Sequence, residues 1–141
     1  MIPYDRDHDP PAPVLPVTVA GLVRQRRREI VPALLDTGSD VTAIPARLAV
    51  PLQLYPIGRL RLEDVEASTT PVLTYAAHLT VANLVIPRLE VVLTGLDFAV
   101  IGRDVLNRLY LLLNGPEQTF DVGTTAFVMA QASDLTAHWP D

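Results

Sequence analysis

Apolar residues along this chain occur in short runs that are separated by charged or turn-forming residues. Residues 14–19 and 29–35 are two such runs, rich in β-branched side chains, and a basic segment at residues 24–28 lies between them. Short runs of this kind joined by a charged turn are typical of a β-hairpin. The four arginines of the segment could instead form a patch for nucleic acid or a protein partner, but a solvated turn is the simpler interpretation.

Further β-type runs follow at residues 41–44, 57–62, 72–81, 84–86, 89–93, 98–101 and 119–122. The prolines at positions 45, 51, 56, 71 and 87 are expected at strand borders, because proline cannot donate a hydrogen bond to a ladder. One helix is predicted over residues 103–109, with apolar residues on one face. Many short strands and one short C-terminal helix predict a small closed all-β fold, a β-barrel.

The length of the chain, 141 residues, is that of one domain. Residues 1–13 combine acidic residues with four prolines and have no apolar period, so they are expected to form an extended or disordered N-terminal arm. The domain is expected over residues 14–123. Residues 124–141 are expected to form a C-terminal tail with one β-capable run at 126–129.

Composition and charge exclude several classes of function. The chain has 11 basic and 16 acidic residues, a net charge of −5, which disfavours a dedicated nucleic-acid binder or a polybasic membrane clamp. It has no cysteine, which excludes disulfides and thiolate chemistry. With no signal-peptide pattern and no long apolar stretch, we expect a soluble cytoplasmic protein. The histidines at 8, 78 and 138 have no metal-ligand spacing, so no metal or cofactor is predicted.

Residues 32–45 carry the clearest chemical signal. An apolar strand delivers Asp36, Thr37 and Gly38 onto a tight turn, and a second apolar run leaves it. Apolar flanks fix the position of a carboxylate, and glycine lets the backbone turn and approach closely. The tripeptide alone could end any strand. However, residues 98–106 form a second segment, in which an apolar strand runs through Gly102 into the predicted helix.

These two segments, in this order and at this separation, resemble the two signatures of the retropepsin family. These are the half-size aspartic proteases of retroviruses and their bacterial and eukaryotic relatives. Residues 33–40 read Ala-Leu-Leu-Asp-Thr-Gly-Ser-Asp, and residues 100–104 read Val-Ile-Gly-Arg-Asp. The resemblance extends from about residue 14 to residue 122 and is to a single-domain member of the bacterial type. It implies a retropepsin-like β-barrel and aspartic endopeptidase activity on a polypeptide substrate.

The resemblance also assigns roles around the catalytic loop. It implies that Asp36 is the catalytic carboxylate, in a loop with Thr37 and Gly38, and that the Thr37 hydroxyl bonds across to the loop of a partner subunit. From the position of Ser39, we expect its hydroxyl to donate to the outer oxygen of Asp36. The resemblance further implies that Asp40 supports the site through an ion pair with Arg103. Gly102 and Asp104, the rest of the second signature, are also expected to support it.

Peptide hydrolysis by water needs both a base and an acid. Two carboxylates a few ångströms apart supply both, because like charges at that distance cannot both ionise. This chain has one Asp-Thr-Gly and is too short for two such lobes. We therefore expect a homodimer with a two-fold axis through the site, in which each subunit contributes one Asp36.

Substrates of the family lie extended beneath a hairpin flap from each subunit. By position, the flap is residues 57–73, and its tip supplies the substrate-binding candidates Glu63, Asp64, Val65 and Glu66. This tip lacks the glycines usual in the family. Its three carboxylates could favour basic substrates or simply keep an exposed loop soluble.

Apolar side chains near the two motifs are candidates for the substrate pockets. Ile44, Phe98 and Val100 are expected to line a cleft that prefers large hydrophobic side chains, although Phe98 and Val100 could equally be core residues. The main rival to a protease is a retropepsin-fold dimerisation or peptide-binding module that does not cleave. In viral relatives the terminal strands interleave between subunits, and the termini of this chain do not match that pattern, so the interface strands stay open.

Overall fold

The computed structural model describes residues 1–22, 27–63 and 66–126. These residues contain ten β-strands, one 3-10 helix at Ala46–Leu48 and one short α-helix, α1 (Arg103–Leu106). The strands are β1 (Ile2–Pro3), β2 (Val14–Ala20), β3 (Arg28–Leu35), β4 (Ala43–Pro45), β5 (Pro56–Glu63), β6 (Thr69–Val81), β7 (Leu84–Thr94), β8 (Ala99–Ile101), β9 (Tyr110–Asn114) and β10 (Thr119–Gly123).

Six strands close into a barrel. They are hydrogen-bonded in the order β2-β3-β8-β4-β7-β6, and an additional pairing of β2 with β6 closes the ring. Strand β5 pairs with β6 outside the ring, so that β5 and the first half of β6 form a projecting hairpin. The structure thus confirms the small closed β-barrel with one short helix, including the hairpin of β2 and β3.

The barrel interior is filled by every second residue of its strands, as a period of two requires. In β3 the buried residues Val31, Ala33 and Leu35 alternate with exposed or half-buried ones, and Val17 and Val19 of β2 follow the same period. The buried core draws on every barrel strand, on the 3-10 helix and on α1, and Phe120 of β10 is its largest fully buried side chain. Burial of these apolar side chains stabilises the barrel, and the barrel strands fix the ends of the loops that follow them.

Two of the five prolines that were predicted at strand borders lie inside strands instead. Pro87 lies within β7, which runs through it as one strand instead of two. The ladder between β6 and β7 shifts register between Ala77 and Leu79, which leaves Pro87 unpaired at an irregularity where a missing N–H is tolerated. Pro71 lies in β6, where the projecting hairpin is only two strands wide.

The helix is shorter than predicted. It ends at Leu106, whereas the apolar spacing predicted residues 103–109. The N–H of Arg108 bonds to the carbonyl of Val105, and the N–H of Leu109 bonds to that of Leu106, so the chain tightens into three-residue turns before β9. The short helix therefore connects the second motif, residues 100–104, to β9.

The N-terminal arm is extended in part and packs onto the domain. Its strand β1 pairs with β10, and the ring of Tyr4 lies 6.1 Å from that of Phe120. A bridge between Asp5 and Ala12 then closes a loop, in which the ring of His8 meets the ring of Phe98 at 4.8 Å. The arm thus shares a three-stranded sheet with β9 and β10, which fall inside the domain predicted over residues 14–123.

Some predicted features lie outside the described residues. These are most of the basic turn at 24–28, the flap-tip residues Asp64 and Val65, and most of the tail at 124–141. Among the described residues, no helix is long and apolar enough to cross a membrane.

Candidate active site

Asp36 lies at the end of β3, where the strand leaves the barrel. Its N–H donates to the carbonyl of Ile101 at 2.9 Å, which continues the parallel pairing of β3 with β8 by one residue. Its Oδ1 accepts a hydrogen bond from the N–H of Gly38 at 2.9 Å. The Ser39 N–H closes the turn on the Asp36 carbonyl at 3.2 Å. The carboxylate is therefore oriented by its own loop while the side chain stays partly exposed.

The loop after Asp36 is tied to the second motif by Arg103. The Arg103 N–H donates to the Ser39 carbonyl at 2.8 Å, and its Nη1 donates to the Thr37 carbonyl at 3.2 Å. Its Nη2 forms an ion pair with Asp40 Oδ1, the pairing that the resemblance implies. The Arg103 side chain thus contacts the loop at both Thr37 and Asp40, which fixes the Asp36 loop against the second motif.

A buried network beneath the loop was not predicted from the sequence. Thr42 has no exposed surface, and its hydroxyl donates to Asp104 Oδ1 at 2.8 Å. The same hydroxyl accepts from the N–H of Gly102 at 3.1 Å, and the Thr42 N–H donates to Asp104 Oδ2 at 3.0 Å. The only sequence signal for this role was a hydroxyl residue inside the apolar run 41–44. Asp104 is thereby placed below the site as a structural support.

Gly102 is required by contact distance. A Cβ at this position would lie 2.7 Å from the carbonyl carbon and oxygen of Val41 and 2.9 Å from the carbonyl oxygen of Ser39. These are backbone atoms, which cannot rotate away. Gly102 has an ordinary extended backbone, so its need for glycine is steric.

The expected bond from Ser39 to Asp36 is wrong. The Ser39 hydroxyl donates instead to the carbonyl of Val41 at 2.8 Å. The loop geometry explains the difference, because Asp36 Oδ1 is already turned toward the Gly38 N–H inside the turn. Ser39 therefore stabilises the end of the loop at Val41 and makes no hydrogen bond to the Asp36 carboxylate.

Thr37 and Gly38 form the exposed tip of the loop. The Thr37 hydroxyl makes no hydrogen bond to any of the residues that the structure describes. Among these residues there is also no group of three histidine or carboxylate side chains placed to hold a metal ion.

An open cleft of about 670 Å³ lies between the Asp36 loop and the projecting hairpin. Its floor comes from the loop and the ends of β4, β7 and β8, and its other wall comes from β5. The residues that line it are Gly38, Ser39, Asp40, Val41, Ala43, Leu60, Arg61, Leu62, Glu63, Val92, Leu93, Thr94 and Val100. The arrangement can hold an extended chain beside the Asp36 loop.

The structure brings only some of the predicted substrate-binding residues to this cleft. Val100 and Glu63 line it. Ile44 does not, because its side chain is fully buried in the core and its neighbour Ala43 faces the cleft instead. Phe98 packs against His8 of the arm and is not among the lining residues. Glu66 is exposed beyond the end of β5 and does not line the cleft either.

Comparison with known proteins gives matches only at the level of structure. No family model matches the chain, and no curated protein matches it. A retropepsin-like aspartic protease from Rickettsia conorii matches with a TM-score of 0.54 at 14% identity, over 86% of this chain and 88% of the other. The foamy viral protease-reverse transcriptase matches with a TM-score of 0.51 at 21% identity, over 68% of this chain.

The chain spans only 12% of the length of the foamy viral protein, whereas it spans most of the Rickettsia protein. The Rickettsia protein is described as a retropepsin-like aspartic protease, and the foamy viral protein is described as a protease-reverse transcriptase. Together with the six-stranded barrel and the short helix, they show that this chain has the fold of the retropepsin-like aspartic proteases.

Proposed function

We propose that the chain is an aspartic endopeptidase that hydrolyses peptide bonds with a water molecule activated by two Asp36 carboxylates, one from each subunit of a homodimer. The observation that carries the proposal is the position of Asp36. It lies on a loop that Arg103 ties to the second motif, and the following residues of this loop, Gly38, Ser39 and Asp40, line an open cleft of about 670 Å³. The description of the Rickettsia protein as an aspartic protease supports the same class.

The chemistry follows from two adjacent carboxyl groups, one ionised and one protonated. The ionised group takes a proton from water as the water oxygen attacks the carbonyl carbon of the peptide. The protonated group gives its proton to the carbonyl oxygen, which yields a tetrahedral diol. When the C–N bond breaks, a carboxyl group delivers a proton to the leaving amine.

A second copy is needed because the chain supplies one Asp-Thr-Gly loop. A two-fold axis beside Asp36 would bring two identical loops together, each presenting an exposed Thr37 to the other. The substrate would lie extended in the cleft, against the strands that line it. Apolar lining residues favour hydrophobic side chains near the cut bond; they are Ala43, Leu60, Leu62, Val92, Leu93 and Val100.

The proposal is tested by Asp36→Asn, which keeps the shape of the side chain and removes the carboxylate. We expect the wild-type protein to cut a peptide library at defined bonds and the variant to be slower by about 10²-fold or more. Glu29→Gln is the matched control, because it removes one negative charge from an exposed position on the same strand, β3. Cleavage that survives in the Asp36 variant would overturn the proposal.

Mixing the two proteins tests whether two chains share one site. If subunits exchange, a mixed dimer has only one Asp36 carboxylate, so activity should fall as the square of the wild-type fraction. A fall in simple proportion would indicate that each chain works alone. A wild-type dimer that binds peptides without cutting them would instead favour the non-cleaving peptide-binding module.

A further inference from the structure

Three charged residues line the cleft beside the Asp36 loop: Asp40, Arg61 and Glu63. The charge of Asp40 is matched, because its carboxylate forms an ion pair with Arg103. The side chains of Arg61 and Glu63 form no ion pair or hydrogen bond with any described residue. The cleft therefore holds one positive and one negative charge that the described part of the chain does not neutralise.

Both of these charges belong to β5, the strand of the projecting hairpin that forms one wall of the cleft. Arg61 and Glu63 are exposed and two positions apart, so their side chains leave the same side of the strand about 7 Å apart. Across the regular ladder with β6, Arg61 is opposite Pro71 and Glu63 is opposite Thr69, and neither partner carries a charge. The strand thus presents two opposite charges at a fixed spacing.

An extended peptide in the cleft would match this spacing. Residues 60–63 of β5 line the cleft and no residue of β6 does, so a bound peptide would lie on the β5 side of the hairpin. An extended peptide has the same period of two and the same rise per residue as β5. It would therefore place two side chains, two positions apart, beside Arg61 and Glu63. Opposite charges at these positions attract, and like charges repel.

We propose that Arg61 and Glu63 determine specificity by selecting peptides that carry an acidic and a basic side chain two positions apart. The inference rests on the proposed function, in which the substrate lies extended in this cleft. The Arg61 guanidinium binds the acidic side chain, and the Glu63 carboxylate binds the basic one. A two-fold dimer would present its two β5 strands in opposite directions along the substrate, so the favoured order on one side of the cut bond is reversed on the other.

The carboxylates of the flap tip do not by themselves make the cleft selective for basic peptides. Glu63 lines the cleft, but Arg61 lines it as well, and Glu66 does not. A peptide with two basic side chains would meet one attraction and one repulsion, and so would a peptide with two acidic ones. The lining therefore favours mixed charge over either sign alone.

Peptide binding is measured on the full chain with Asp36→Asn, which separates recognition from cleavage. The probes are short labelled peptides with a central pair of leucines and with Glu and Arg two positions apart on one side of it, in both orders and at each distance. Peptides with Gln at both positions are the reference. By fluorescence anisotropy at about pH 6, where both charged side chains are ionised, we expect one order to bind about threefold to tenfold more tightly than the reference and the other order more weakly. The difference should shrink in about 1 M salt, which screens exposed charges.

Exchange of the two charges gives a readout that a merely structural role would not move. Arg61→Glu combined with Glu63→Arg keeps the net charge and should reverse the favoured order. Arg61→Gln alone should remove the preference for the acidic side chain. Arg59→Gln is the matched control, because Arg59 is exposed on the same side of β5 and does not line the cleft, so this variant should keep the preference of the parent protein.

The possible outcomes separate this inference from the proposed function. Equal binding of both orders, or an order that the exchanged variant does not reverse, would overturn the inference. The wild-type protein should cut the same peptides in the order of their affinities, and cleavage that ignores the charge order would also overturn it. Ordered binding without any cleavage would contradict the proposed function and leave the inference standing.

Discussion

The Thr42 hydroxyl donates a hydrogen bond to Asp104 across 62 residues of sequence. The same hydroxyl accepts from the N–H of Gly102, so its donor and one acceptor position are both used inside a fully buried side chain. This contact joins the segment between the Asp36 loop and β4 to the start of α1. It explains how two short motifs far apart in the sequence keep a fixed relative position.

We expect Thr42→Val, which keeps the shape and removes the hydroxyl, to lower the free energy of unfolding by about 1–3 kcal/mol, because it leaves a buried N–H without a partner. Urea unfolding measures the change. The control is Thr18→Val on β2, where the half-buried threonine side chain makes no hydrogen bond to any described residue. Equal unfolding midpoints for the two variants would contradict this role of Thr42.

Gly102→Ala tests the close approach of the second motif to the Asp36 loop. The added Cβ would lie 2.7 Å from the backbone of Val41, so the two segments must separate. We expect a loss of about 1–3 kcal/mol in stability, as for overpacked cores, together with a loss of peptide cleavage. Gly115→Ala is the control, because a Cβ there meets no atom within 4 Å. An active Gly102 variant of normal stability would show that the loop tolerates the shift.

Local sequence accounts for much of the site. Asp36 and its glycine follow a buried strand, and Arg103 follows a second one, so both motifs could be recognised without the structure. The support from Thr42 could not, because its partners lie 60 and 62 residues away and nothing nearby marks it. The hydrogen-bond partner of the Ser39 hydroxyl could not be predicted either, because it depends on the turn geometry of the loop.

The fold follows the same division: features marked by local sequence were predicted, and features set by distant residues were not. Short apolar runs rich in β-branched residues indicated strands such as β2 and β3, and the structure confirms their pairing. Strand β1 has only two residues in a proline-rich segment and exists through its pairing with β10, a contact that no local pattern contains. The irregularity that keeps Pro87 inside β7 is likewise set by the neighbouring strand.

Arg103→Gln removes the side chain that bonds to Thr37 and Asp40 of the Asp36 loop. We expect activity to fall by about 10²-fold, because a small displacement of a reacting group is costly. Stability should change by less than about 1 kcal/mol, because the ion pair is exposed, with 48% and 79% of the two side chains accessible. Arg108→Gln removes the same charge from an exposed position outside the site and should leave both quantities unchanged. Parallel losses in both variants would indicate a general charge effect.

Ser39→Ala should leave the pH dependence of cleavage unchanged. The Ser39 hydroxyl bonds to the carbonyl of Val41 and not to the Asp36 carboxylate, so its removal does not alter the surroundings of the charge. We expect only a stability loss of about 0.5–1.5 kcal/mol for one hydrogen bond. The check is a full pH–rate profile of both proteins, and a displaced acidic limb in the variant would show that Ser39 contacts Asp36 during catalysis.

Ile44 and Val100 separate core packing from substrate selection. Ile44 is fully buried, so Ile44→Ala should cost about 2–5 kcal/mol and leave the preferred cleavage bonds unchanged. Val100 is half-buried and lines the cleft, so Val100→Ala should widen one wall and shift the preference toward larger hydrophobic side chains. Mass spectrometry of a digested peptide library gives both profiles, compared at a temperature where each variant is folded. A profile that shifts for Ile44→Ala and not for Val100→Ala would contradict the assignment of Val100 to the substrate pocket.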